Sequence, residues 1–261
     1  MNTKISTKIG FFGSCQLHLC DKIFLNEQML ETYNYDVVFS LGFYLYDPNF
    51  GAPNGKLDYT IFNDIDILII EINYLPLDNQ ASSKRIINYL KDTSVKIIKT
   101  FLIKFPIYPI NWSGYGDLEK DYLNWCGLDN INYKERFKMC IEKMRKSNIE
   151  SDLSTELTDF VENNFNKHLL FTHSMHPTNI LLYQLYKYIL QNIGIDINNH
   201  KYNLNPYFFG SLNFNHMKSG WYQPFTIKMV KDLNIQFTNV IINDQFYIDR
   251  YNKNKSAFSK V

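Results

Sequence analysis

Apolar residues recur along the first hundred positions at two different spacings, which predicts strands that alternate with helices. An apolar run ends at Gly13, and residues 15–30 then carry apolar side chains at helical spacing. Residues 35–46 are rich in Val, Phe and Tyr, side chains that favour a strand. The chain is therefore expected to begin with a strand, a tight turn, a helix and a second strand.

The next segments predict a parallel sheet. Residues 64–72 form a near-continuous run of Ile and Leu, which is typical of a strand that is covered on both faces. A helix is predicted at residues 82–91 and another strand at 95–105. Strands that alternate with helices imply right-handed crossovers. We predict an α/β fold whose central, mostly parallel sheet is flanked by helices, with a helical lobe around residues 117–165.

The pattern of the second half is less regular. Residues 172–194 are predicted to form a polar turn that leads into a helix, with Gly194 as its stop. A helix is predicted at 221–233 and a strand at 240–248. Residues 1–251 are expected to form a single α/β domain, and 252–261 a polar tail or a linker. A partner domain could follow in a longer chain.

Composition and charge narrow the function classes. The chain has 261 residues, 45% of them hydrophobic and 20% charged, which indicates a globular protein with a sizeable core. A net charge of +1 argues against a nucleic acid as the main partner. No apolar run approaches the roughly 18 residues that a membrane span needs, and the start lacks a secretory signal pattern. We therefore expect a cytoplasmic protein that does not bind membranes.

The first candidate site is the segment Gly13-Ser14-Cys15-Gln16. The four cysteines of the chain form no C-x-x-C motif, so a disulfide framework is not expected. A thiol at the turn between a strand and a helix lies near backbone N–H groups, and the helix dipole lowers its pKa. Cys15 is thus a candidate nucleophile. The alternative is a small buried residue at a tight turn.

The second candidate site contains two histidines within four residues. His176 directly precedes Pro177, so its backbone favours an extended conformation at the edge of a sheet. Imidazole has a pKa near neutrality, which suits a base that accepts a proton from a nucleophile or an acceptor. His176 is therefore a candidate base, with His173 beside it. The alternative is that both histidines contribute only to packing.

Two further possibilities concern Asn73 and a metal. Asn73 follows the buried strand, where open α/β sheets keep their ligands, although it could equally cap a loop. Cys15-x-x-His18 and His173-x-x-His176 have spacings that zinc accepts. Zinc ligation would remove the thiol from the turn, and two distant pairs are a weak pattern. We expect no metal.

These blocks resemble a known family. A strand with Gly13-Ser14-Cys15, a buried strand with Asn73, and a late His176-Pro177 resemble, in this order, three blocks of the SGNH or GDSL hydrolase fold. Gly13-Ser14-Cys15-Gln16 is more similar to the Gly-Asn-Cys-Gln motif of WcbI-like polysaccharide-biosynthesis proteins, acetyltransferases that bind coenzyme A. Two departures matter: Ser14 replaces the family Asn, and His173 stands where the hydrolases have Asp. They favour a transferase over a hydrolase.

The resemblance implies a reaction and a set of roles. The reaction is transfer of an acetyl group from acetyl-coenzyme A to a sugar, above all N-acetylation of a nucleotide-linked amino-deoxy sugar in glycan biosynthesis. The chain resembles the acetyltransferase half of giant-virus enzymes of this kind, which would act in the host cytoplasm. The implied roles are His176 as the base and His173 as a residue that orients it or contacts the acceptor. Asn73 and the Cys15 N–H would be oxyanion donors, and Gly13, Ser14 and Gln16 would contact coenzyme A. Cys15 would either carry the acetyl group as a thioester or only line the site while the acceptor attacks directly.

Two other function classes stay open at this point. The first is a Cys/His-dependent esterase or deacetylase on the same scaffold, which would turn over an acetyl ester without coenzyme A. The second is a non-catalytic module that binds a sugar or a nucleotide. In that class the motif residues would be relics, and no acetyl transfer would occur.

Overall fold

A computed structural model describes most of the chain. The described residues are 6–18, 25, 27–47, 55–109, 127–153, 155–174, 176–196, 223–238 and 240–258. They divide into two compact units. The first unit lies within residues 1–102, 147–155 and 182–203, and the second within 103–146, 156–181 and 204–261.

A four-stranded parallel sheet forms the centre of the first unit. Its elements in chain order are β1 (Thr7–Gly13), α1 (Cys15–His18), α2 (Glu27–Tyr33), β2 (Tyr35–Gly42), β3 (Ile67–Ile72), α3 (Ser83–Leu90) and β4 (Lys96–Phe101). The strand order is β2-β1-β3-β4, and all three pairings are parallel. The predicted α/β fold with a central parallel sheet is confirmed.

The register of the sheet follows from the apolar runs. Ile9 of β1 lies opposite Ile67 of β3, and Phe12 lies opposite Ile70. Leu68, Ile69 and Ile70 are fully buried, as expected of a strand covered on both faces. The second strand is shorter than predicted, because it ends at Gly42 and a 3₁₀ helix follows at Phe43–Leu45.

The helices predicted after the sheet are present. Helix α4 covers Tyr133–Ile149 and α5 covers Glu156–Asn164. These agree with the predicted helical character of residues 117–165, of which 117–126 lie outside the described residues. Arg145 of α4 pairs with Asp159 at 2.8 Å and also with Glu162, so charged side chains join the two helices.

A short hairpin follows in the second unit. Strand β5 (Phe171–His173) pairs with β6 (His176–Pro177) in antiparallel fashion, and helix α6 (Asn179–Gln191) comes directly after. The ring of Phe171 stacks on that of Phe105 with 4.9 Å between centroids, and Tyr108 Oη donates to the Phe171 carbonyl at 2.9 Å. The hairpin is thus anchored in an aromatic core. Gly194 ends the helical region with a φ of +79°, as predicted.

The predicted strand at residues 240–248 is wrong. Helix α7 covers Ile227–Asp232, and a second helix, α8, covers Asp244–Phe258. Asn243 Oδ1 accepts a hydrogen bond from Phe246 N at 3.0 Å, which caps the start of α8. Of the predicted strand, only Ile242 makes an isolated bridge, to Phe225. Helix α8 also continues through residues 252–258, which the sequence pattern assigned to a polar tail.

Within the described residues, no helix is both long and apolar enough to cross a membrane.

Candidate active site

The thiol segment lies at the junction of β1 and α1. Leu17 N and His18 N both donate to the Ser14 carbonyl, at 3.1 and 2.9 Å, and close the first turn of α1. A Cβ atom at Gly13 would lie 2.8 Å from Leu17 Cβ and 3.0 Å from Glu71 Cβ. Only glycine fits here, because both neighbouring atoms are attached directly to backbone.

We predict that Gly13→Ala destabilises the protein by about 1–3 kcal/mol, the usual cost of overpacking. Relief requires movement of β1, α1 or β3, since neither Cβ neighbour can rotate away. Gly10→Ala is the comparison variant. Its added Cβ would meet the far end of the Phe39 ring at 2.3 Å, so relief there requires movement of a side chain and not of the backbone. Urea unfolding of both variants measures the difference, and an equal or larger loss in Gly10→Ala would contradict the explanation.

A buried carboxyl lies against this turn. Ser14 Oγ donates to Glu71 Oε2 at 2.7 Å, and Ser14 Oγ also accepts from Gln16 N at 3.2 Å. The second oxygen, Glu71 Oε1, is buried and has no hydrogen-bond partner within the described part of the chain. Burial raises the pKa of Glu71 to about 7, although the hydrogen bonds from Ser14 oppose the rise.

Glu71 was not among the predicted site residues. The signal in the sequence was a single acidic residue within the apolar run Ile67–Ile72. An ionisable side chain is almost never fully buried without a specific reason. That rule, applied to β3, would have selected Glu71.

The predicted activation of Cys15 by its position is wrong for this arrangement. The thiol is half-buried. Burial, and then the negative charge of Glu71, raise the pKa of Cys15 to about 12. The backbone N–H groups of Cys15 and Gln16 lower the pKa, as the sequence argument expected, but they contribute less. Cys15 is therefore a protonated thiol at neutral pH.

His18 and Gln16, the other polar residues of the turn, are held by the first unit. His18 Nδ1 lies 2.9 Å from Tyr44 Oη, and Ser40 Oγ donates to the His18 carbonyl at 2.8 Å. Gln16 is fully buried. No group of three or more His, Cys, Asp or Glu side chains among the described residues could hold a metal ion.

The contacts of Asn73 match the loop-capping interpretation. Its Nδ2 donates to the Ala81 carbonyl at 2.9 Å, and its Oδ1 accepts from Ser83 N at 3.1 Å at the start of α3. Leu75 N also donates to Oδ1, at 3.4 Å. The amide therefore ties the end of β3 to α3. An additional contact with an oxyanion stays a prediction.

The two histidines lie side by side in the second unit. His173 and His176 are paired across the β5–β6 hairpin, their Nδ1 atoms are 3.3 Å apart, and their rings cross at 76°. Burial lowers the pKa of both; the charge of Arg250 lowers that of His173 further, and His173 lowers that of His176. Both rings are neutral at pH 7, so one Nδ1 donates and the other accepts.

The hairpin that carries these rings is fixed by backbone hydrogen bonds. Phe105 N donates to the Ser174 carbonyl at 2.6 Å, and Gln223 N donates to the Thr172 carbonyl at 2.7 Å. Thr172 Oγ1 donates to the His176 carbonyl at 3.2 Å. The expectation of a base with a near-neutral pKa does not hold here, because burial of the rings disfavours their charged forms.

Comparisons with known proteins identify the type of fold. No protein-family model matches the sequence, and no curated protein matches it. A solved structure of WcbI matches with a TM-score of 0.57 and 16% sequence identity, over 78% of this chain and 74% of that one. The chain has a WcbI-like fold. WcbI is described as a polysaccharide biosynthesis enzyme, in a native form without the disulfide bond between coenzyme A and one of its cysteines.

The WcbI-like fold agrees with the family resemblance of the sequence at the level of architecture. Within the first unit the structure brings Ser14 to Glu71. Within the second it brings His173 to His176. The meeting of Cys15 with His176 stays a prediction, as do the features specific to SGNH hydrolases and the contacts of Gly13, Ser14 and Gln16 with coenzyme A.

Proposed function

We propose that this protein transfers an acetyl group from acetyl-coenzyme A to a sugar during glycan biosynthesis. The acceptor is an amine or a hydroxyl, and an amino-deoxy sugar linked to a nucleotide fits the family resemblance best. The observation that carries the proposal is the fold shared with WcbI, a polysaccharide biosynthesis enzyme described with reference to coenzyme A and a cysteine. Cys15 at the β1–α1 turn supports it.

The proposed reaction is one displacement at the thioester carbon. The acceptor nitrogen or oxygen attacks the acetyl carbon, a new C–N or C–O bond forms, and the C–S bond breaks. The acceptor loses one proton to a base, and the departing thiolate of coenzyme A takes up one proton. A positioned base typically contributes about 10²–10⁴ in rate.

His176 is the proposed base. When its Nδ1–H donates to His173 Nδ1, the Nε2 atom of His176 is left as the proton acceptor. His173 then orients the ring, as a carboxylate does in a hydrolytic triad, but it adds no negative charge. Burial makes His176 a weak base, and the demand on it is lowered because a thiolate is a good leaving group whose conjugate thiol has a pKa of about 8.5.

Ligand binding is the first test. In a thermal-shift experiment, coenzyme A and acetyl-coenzyme A are expected to raise Tm with the logarithm of their concentration, and a nucleotide-linked amino sugar to raise it independently. Acetyl phosphate, which lacks the coenzyme, is the control and should give no shift. Absence of any shift with both coenzyme A forms would remove the proposal.

Turnover decides among the function classes. The proposal expects acetyl-coenzyme A to be consumed only when an acceptor sugar is present, with release of one thiol per acetyl group transferred. Hydrolysis of an acetyl ester without coenzyme A would favour the esterase alternative instead. Binding of the sugar with no turnover under any condition would favour a non-catalytic module.

A further inference from the structure

The Cys15 thiol and the Glu71 carboxyl are two acidic groups enclosed in the same part of the first unit. We propose that Glu71 is a positioning residue that, together with burial, keeps Cys15 protonated, so that the acetyl group passes directly to the acceptor and not through a thioester on Cys15. The choice of route depends on the proposed function. The control of the thiol by Glu71 does not.

The sheet holds Glu71 against the thiol turn. β1 and β3 run parallel, with Phe12 opposite Ile70, so the next position on β3 lies beside the end of β1. The hydrogen bond from Ser14 Oγ to Glu71 Oε2 then joins the carboxyl to the residue before Cys15. Both partners are buried, so this contact is shielded from solvent.

The Glu71 carboxyl lacks part of the hydrogen bonding that would stabilise its negative charge. Glu71 Oε1 has no hydrogen-bond partner within the described residues, and neither has Thr100 Oγ1 on the neighbouring position of β4. Among the described residues, Tyr44 also interacts electrostatically with the Cys15 thiol, and His18 Nδ1 lies 2.9 Å from Tyr44 Oη.

Two negative charges disfavour each other in a site that is shielded from solvent. Burial disfavours the thiolate of Cys15 most, an ionised Glu71 disfavours it further, and a thiolate would disfavour the carboxylate in the same way. Groups that are coupled in this way lose their protons in two separate steps. The first proton leaves Glu71, and Cys15 keeps its own.

The protonation state of the Cys15 thiol determines the route of acetyl transfer. Acetylation of Cys15 requires its thiolate to attack the thioester carbon of acetyl-coenzyme A, with release of the coenzyme as a thiolate. A protonated Cys15 is a poor nucleophile, and the acceptor attacks the same carbon without competition. Cys15 then lines the site, and the acetyl group moves in a single displacement.

Alkylation of Cys15 by iodoacetamide tests the control of the thiol without coenzyme A. The rate is measured from about pH 5.5 to 9 by mass spectrometry of the Cys15 peptide. In the wild type, the rate should rise with pH, level off where Glu71 ionises near pH 7, and rise again. In Glu71→Gln, which can still accept the Ser14 hydrogen bond, the rate should rise evenly and be about tenfold higher at pH 8, the effect of one pKa unit.

Two variants serve as controls. Thr100→Val changes a buried side chain opposite Glu71 without altering charge, so its Cys15 profile should match the wild type. Ser14→Ala removes the hydrogen bond that favours the charged carboxylate, so the level region should move to higher pH. Circular dichroism establishes that each variant is folded. Cys140, a buried thiol of the second unit, should keep one profile throughout.

Acetyl-coenzyme A without acceptor tests the route. Glu71→Gln should gain an acetyl group on Cys15, and the wild type should not. If the alkylation rate of wild-type Cys15 rises evenly through pH 7, Glu71 does not control the thiol. This result does not depend on whether Glu71→Gln folds. Acetylation of wild-type Cys15 overturns the direct route. The expected alkylation profile together with no coenzyme A binding supports the control by Glu71 and removes the proposed function.

Discussion

His176→Ala is expected to lower kcat for acetyl transfer by about 10²–10⁴-fold with little change in KM for acetyl-coenzyme A. The methyl group of alanine cannot accept the acceptor proton, so the loss falls on the chemical step and not on binding of the coenzyme. Steady-state kinetics with a nucleotide-linked amino sugar measures both constants. Thermal melts establish that the β5–β6 hairpin is still folded in the variant.

His168→Ala is the matched control, because His168 belongs to the same unit and is exposed. Its kcat should equal that of the wild type. His173→Ala should lie between the two, since it removes the Nδ1 contact that orients His176 but leaves the base in place. If His176→Ala retained the kcat of the His168 control, the base would have to be another residue.

Glu71→Gln is expected to change the pH dependence of stability. The native pKa of Glu71 is raised to about 7 from an ordinary 4.5, so between these values the folded chain holds a proton that the unfolded chain has lost. The wild type therefore loses stability as pH rises through this window, by about 3 kcal/mol in total. Glutamine does not titrate, and the variant gains by that amount relative to the wild type between about pH 4.5 and 7.5.

Urea unfolding of both proteins at several pH values measures this difference. The lowered pKa values of His173 and His176 act with the opposite sign, because their stability contribution is lost as pH falls below about 6.5. They are present in both proteins and cancel in the comparison. Glu31→Gln, at an exposed site of the same unit, should show no such pH-dependent gain. A constant difference across the pH range would show that Glu71 ionises normally in the folded chain.

Local sequence patterns were sufficient to predict an element where its residues are uniformly apolar. The Ile-rich run predicted β3 because a strand covered on both faces needs apolar residues at every position. The prediction failed at residues 240–248, where apolar side chains were given more weight than Asn243 and Asp244. Those two residues are a helix start signal, and Asn243 does cap α8.

The sequence indicated which residue types belong to the candidate site, but not their protonation states or their contacts. The positions of Cys15 at the turn and of the His173–His176 pair at short strands follow from their neighbours in the chain, while their roles stay predictions. The role of Asn73 in holding α3 depends on Ala81 and Ser83, which follow it closely. The sequence leaves two roles open for Asn73, because no periodicity distinguishes a loop cap from a ligand contact.

The amino-acid sequence alone determined the alternation of strands and helices, the turn at Gly13 and the pairing of the two histidines, because each depends on residues close together in the chain. The tertiary structure decided that Glu71 lies against Ser14, that Cys15 keeps its proton and that both imidazoles are neutral. These properties arise from the exclusion of water and from charges on distant segments. Only the folded chain brings those segments together.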